Sequence, residues 1–268
     1  MTMRARVVVS CVALAVVAGV VALDAQGRAG AAPQGRAGGP PAPPATPKEA
    51  APIDLTGYWV SIVNEDYRWR MITPPKGDYS SVPLNDEGKK LADTWDPSKD
   101  GRCEAFGAAA LMRMPTRLHI TWESDNVLEI DTDSGQQTRR FVFDRAAKPP
   151  VERTLQGFSQ AEWQLPPPAP GAGRGRGPAR GPAPGSSLKV VTSMLRPAWL
   201  RRNGVPYSEN AALTEYFDRF TSTNGDEWLA VTTIVSDPKY LNQDFITSSH
   251  FKREPDGSKW NPFACKNQ

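Results

Sequence analysis

His119 and His250 are the only two histidines in the chain, so any imidazole acting as a general base or metal ligand must be one of them. His119 alternates with Arg117, Thr121 and Glu123, opposite an apolar stripe of Leu118, Ile120 and Trp122. In a single-layer barrel that stripe turns inward, which sends His119 and Glu123 to the outer face. His250 alternates with Ile246, Ser248 and Lys252, and neither face of that segment is cleanly apolar, so its direction stays open. His119, Glu123 and His250 are therefore the polar site to look for. A metal would need both imidazoles to converge with a carboxylate such as Glu123 or Glu215, and no metal site is expected. The chain has no GxSxG, no HExxH, no phosphate-cradling loop and no dinucleotide fingerprint. No catalytic residue and no cofactor is assigned on this basis. The balance leans toward binding, with a hydrolase or isomerase using a histidine and a carboxylate as the alternative.

A second group of chemically capable residues is Glu65, Asp66, Arg68 and Arg70, interleaved with Tyr67 and Trp69. One reading is a hairpin with cross-strand ion pairs and aromatic packing. The other is a barrel mouth at which Arg68 or Arg70 fixes an anionic group bidentately, with Trp69 beside it. Trp199, which also has arginine neighbours near a turn, joins Arg68, Trp69 and Arg70 as a candidate ligand contact. The eight tryptophans serve equally to fill a core, and Trp59, Trp122, Trp163 and Trp228, on period-two segments, are expected to point inward. The polar connection LRRNGVPYSENA from Leu200, with a turn signal at Asn203 and Gly204, is either a functional loop or a solvent-facing connector.

The compartment limits this chemistry. Arg4 and Arg6 precede an apolar run over residues 7–23 that ends in small residues, which reads as a signal peptide over 1–25 cleaved after Ala25. Cys11 leaves with it. No stable membrane span is then expected, and the protein is read as periplasmic or secreted. The remaining chain carries 30 basic and 28 acidic residues, without the concentrated positive face that nucleic acid requires. Two cysteines remain, Cys103 and Cys265, and in an oxidising compartment they are expected to form a disulfide.

Residues 26–52 are rich in Gly, Ala and Pro and repeat QGRAG, which makes them a disordered tether. Residues 53–268 read as a single domain, interrupted by a second low-complexity loop at 166–187. Alternating segments flank this loop, so it is expected to replace the turn of a hairpin. Period-two patterns place strands at 55–63, 117–122, 127–132, 138–143, 188–194, 212–220, 228–235 and 245–252. Hairpin turns are expected at Ser134–Gly135 and Asn224–Gly225. One helix is expected, over 85–95, with Asn85 as its cap. The fold class is all-β, an antiparallel meander closing into a barrel with one short helix after the first strands.

The hexapeptide DLTGYW from Asp54, with RWRMITPP from Arg68, RLHITW from Arg117, LRRNGVPYS, TEYF from Thr214 and DPKYLNQ from Asp237, resembles a family of uncharacterised exported bacterial proteins. That resemblance implies export and brings no activity with it. Gly57 and Trp59 also resemble the GxW of lipocalin-like (calycin) barrels, in which the tryptophan plugs one end. It implies a barrel that binds a small, partly apolar ligand. A surface-interaction module of the cell envelope is the remaining reading, and the sequence is silent on oligomeric state.

Overall fold

The computed structural model describes residues 45–99, 103–166 and 185–265. The expected signal peptide, most of the tether and most of the 166–187 loop lie outside these residues. Nine strands close into a barrel: β1 (Gly57–Ile62), β2 (Arg117–Ser124), β3 (Val127–Thr132), β5 (Thr138–Val142), β6 (Phe158–Gln164), β7 (Ser187–Ser193), β10 (Ala212–Thr221), β11 (Glu227–Ser236) and β12 (Phe245–Glu254). They follow one another around the ring in chain order, and β12 pairs with β1 to close it. A ring with an odd number of strands cannot alternate direction throughout. The necessary parallel pair is β5 with β6, Phe141 opposite Ser159, while all other neighbours in the ring are antiparallel. The expected meander therefore becomes a mixed barrel. β6 and β7, which flank the low-complexity loop, pair as a hairpin with Trp163 opposite Leu188.

Alternation along the strands builds the interior. Leu118, Ile120, Ile130, Phe141, Leu188, Val190, Phe217, Leu229, Val231 and Phe251 have no exposed surface and form one continuous core. Trp59 is fully buried in this core, and its indole N–H donates to the Leu55 carbonyl. Arg253 lies over its ring at 5.3 Å. Gly57 makes that stacking possible: its φ is +111°, and a Cβ there would come within 3.1 Å of the Arg253 guanidinium. Trp228 departs from expectation. Its neighbours Leu229 and Val231 take the inward positions of β11, so Trp228 falls on the outer face.

The barrel end reached by the last residue of β1 and the first residues of β10 and β12 is covered by a cap. The cap contains α1 (Tyr67–Met71), α2 (Asp86–Ala92), α3 (Ala108–Leu111) and the hairpin of β8 (Ala198–Arg201) with β9 (Val205–Tyr207). It has its own apolar cluster, in which Leu84, Leu200, Val205 and Tyr207 meet Leu213, Val235 and Phe245 from the barrel rim. Three short α-helices thus replace the single one expected. The expected helix is present as α2, with the Asn85 side chain accepting from the Gly88 N–H. The 65–70 segment is not a strand hairpin: Asp66 adopts a left-handed conformation, φ 51°, and starts the single turn of α1. Four-residue α3 is buried on every side, so it has no amphipathic period to read. Ser134–Gly135 lies, as expected, in the turn between the antiparallel strands β3 and β5, and it also forms a short strand, β4, parallel to β13 (Phe263–Ala264). Cys103 and Cys265 are joined by a disulfide that anchors β13, their Cα atoms 5.6 Å apart.

Candidate functional site

The cap brings three arginines from distant parts of the chain into one buried cluster. Arg70 comes from α1, Arg113 from the turn after α3, and Arg201 from the end of β8; each is 5% exposed or less. Their partners satisfy them only in part. Arg70 donates through Nε to the Arg113 carbonyl at 2.8 Å and through Nη1 to the Glu65 carboxylate at 3.4 Å. Arg113 Nη2 donates to Asp66 at 2.8 Å, and Arg201 Nη2 to the Ser81 hydroxyl at 2.7 Å. Arg70 Nη2, Arg113 Nη1, and both Nε and Nη1 of Arg201 have no acceptor. Buried donors on charged groups are the costliest to leave unmatched, at about 1–3 kcal/mol or more each.

The electrostatics agree. Burial first, then the nearby charge of Arg113, lowers both Arg70 and Arg201 to about 10, and burial also lowers Arg202. All remain cationic at neutral pH. Arg202 donates to the Arg70 carbonyl, and Asn203 to the carbonyls of Pro75 and Asp78, which locks the β8–β9 hairpin onto the α1 segment. Two of the non-glycine residues with positive φ, Asp66 and Ser81, are the acceptors that hold Arg113 and Arg201. Backbone strain at such positions is characteristic of functional sites.

Next to the cluster is a cleft of about 420 Å³ lined by Val82, Pro83, Phe245 and Ile246, with Ser81, Gln243 and Asp244. Two contacts join it to the arginines: Ser81 accepts from Arg201, and Phe245 lies under the Arg113 guanidinium at 5.5 Å. Cationic donors next to an apolar cleft are suited to an anionic head group on an apolar body.

The residues singled out from the sequence separate into four places. Arg70 is in the cluster. Trp69 lies between Arg68 and Arg201, which stack over its ring at 5.2 and 5.0 Å. Arg68 is largely exposed and pairs with Asp78 at 2.5 Å. Trp199 lines a different cleft, on β8. His250 lies beside the cluster, its Nδ1 bonded to Glu65, the carboxylate that also contacts Arg70. His119 is away from it, stacked on Tyr58 at 4.2 Å with Trp260 at its edge. Glu123 pairs with Arg140 and contacts neither histidine. The two imidazoles do not converge, because they sit opposite Tyr58 and Ile62, four residues apart on β1. No group of three or more His, Cys, Asp or Glu side chains among the described residues is placed to hold a metal ion.

Sequence reading missed Arg113 and passed over Arg201 within its polar connection. Both carried a signal: Arg113 lies between Met112 and Met114, and Arg201 follows Trp199 and Leu200, flanks that demand burial. It also missed Arg139, which lies fully buried inside the barrel in a two-point ion pair with Glu215 at 2.9 and 2.6 Å. Comparison with known protein families, with curated proteins and with solved structures gave no match.

Proposed function

We propose that this protein is an exported binding protein whose ligand is a small, partly apolar molecule with an anionic head group. The head group is received by Arg70, Arg113 and Arg201, and the apolar part lies along Val82, Phe245 and Ile246. The observation that carries this reading is the set of four guanidinium nitrogens left without acceptors in a buried cluster. A carboxylate or phosphate supplies the missing acceptors in a geometry that guanidinium favours. The packed barrel core supports a site at the capped end over one on the barrel axis. Export rests on the basic and apolar N-terminus.

The test is thermal denaturation with hexanoate, hexyl phosphate or hexanol. The anions raise the Tm of the wild type, hexanol does not, and the Arg201→Met variant loses the response. Equal stabilisation by hexanol, or an undiminished response in the variant, contradicts the reading.

One observation supports a second reading, a histidine-dependent hydrolase. The Glu65 carboxylate fixes His250 through Nδ1, which leaves Nε2 as the basic atom beside cationic groups able to hold an oxyanion. Turnover of p-nitrophenyl hexanoate that disappears in His250→Ala supports it. No turnover, or turnover unchanged in that variant, removes it.

A further inference from the structure

On β8, separate from the arginine cluster, is a second cleft of about 310 Å³ whose walls include Trp95, Trp199 and Tyr240. Its shape depends on a glycine. Gly204, at φ +76°, lies flat under Trp95, and a Cβ there would come within 2.4 Å of the tryptophan Cβ. The NG of the LRRNGVPYS connection is therefore more than a turn: it seats an aromatic wall.

Two residues of this lining carry polar atoms with no hydrogen-bond partner, Trp95 at Nε1 and Glu104 at Oε2, and Asp96 adds a second carboxylate to the wall. The Tyr207 hydroxyl is directed away from the cleft, against Gly107 and Leu155. The set is mixed, and this restricts what can occupy the cleft. An anion would be repelled by Glu104 and Asp96. An organic cation would suit Glu104 and the ring faces but would give the indole N–H nothing to donate to. An apolar molecule would satisfy neither of the two. A hydroxyl both donates and accepts, and a sugar ring carries hydroxyls around its edge and C–H groups on its faces, where aromatic side chains stack.

We infer that this cleft is a carbohydrate subsite that takes a neutral pyranose. Trp95 and Trp199 supply stacking surface and Glu104 accepts from ring hydroxyls. The volume is at the lower end of the range for small-molecule sites, roughly 300–1,000 Å³, which suits one or two sugar rings. The site is independent of the anion-binding cluster and stands or falls separately from it.

The test is NMR on the ¹⁵N-labelled protein, following the tryptophan indole N–H signals. The probes are the methyl pyranosides of glucose, galactose and N-acetylglucosamine, then maltose and cellobiose, with choline and 3,3-dimethylbutanol as controls. At least one saccharide is expected to shift the Trp95 and Trp199 signals at millimolar concentration. Glu104→Gln should weaken that binding at least fivefold, and Gly204→Ala should abolish it. Both variants should keep the dispersed amide spectrum of the wild type, which confirms folding. If Gly204→Ala fails to fold, Glu104→Gln decides alone. A response to choline without any saccharide, no response at all, or saccharide binding unchanged in Glu104→Gln overturns the inference.

Discussion

Arg70 and Arg201 titrate below the ordinary guanidinium range because they are buried and crowded by Arg113. The sign of the consequence follows from proton linkage. The folded chain holds these protons less tightly than the unfolded chain, so crowding costs stability at every pH below about 10. The penalty fades only above that pH. An anion in the cluster offsets it while the arginines are charged. Hexanesulfonate, whose own charge does not titrate, is therefore expected to raise the Tm equally from pH 6 to 9 and progressively less above pH 10. A differential scan at each pH checks this. Arg201→Met, which removes one crowded charge, should leave the Tm of the ligand-free protein unchanged or higher. Removing a charge from the ion pair inside the barrel has the opposite effect on stability. Arg139 and Glu215 are fully buried and held by two hydrogen bonds, with Thr192 adding a third to Arg139. Glu215→Ala leaves an uncompensated charge in the core and should cost about 3–5 kcal/mol in urea unfolding. Replacing both partners by apolar residues of similar volume should restore most of that.

At the scale of elements, the nine barrel strands were legible because each has one dry face, so the period of two survives in the sequence, whereas β8 and β9, buried on nearly every residue, showed none. The cap was legible only where an element was long enough to show a pattern. α2 showed its Asn85 cap and acidic first turn; α1 and α3, of five and four residues, had no period to display. The same limit hid the site. Arg68, Trp69 and Arg70 were visible as a cluster in the sequence, but the helical turn sends Arg70 inward and Arg68 out, whereas a strand would have put both on one face. Arg113 and Arg201 join Arg70 only through tertiary packing. α2 also carries a testable role. Asn85 accepts from the Gly88 N–H and donates to the Lys239 carbonyl, tying the helix to the segment that follows β11. Asn85→Ala should cost about 1 kcal/mol for the cap. It should also raise amide exchange in α2 more than in the barrel strands, measured by hydrogen–deuterium exchange.

At the scale of the whole molecule, the two ends of the barrel differ in kind. Near one, Trp59 is buried under Arg253; the other is covered by a cap with its own apolar cluster and a charged seam. The Cys103–Cys265 disulfide closes a separation of 162 residues, and in the chain-entropy view it contributes about 5 kcal/mol. The double variant Cys103→Ser, Cys265→Ser should melt well below the wild type, and adding reductant should lower the wild type toward it. Among the described residues no helix is long and apolar enough to cross a membrane. The central claim is that the cap's buried arginines receive an anion, and the guanidinium N–H signals test it most directly. In ¹⁵N-detected NMR, hexyl phosphate is expected to shift the Arg201 Nε–H signal downfield, together with signals of Arg70 and Arg113, as each gains an acceptor. A response confined to exposed arginines such as Arg68 and Arg145, or none, would contradict it.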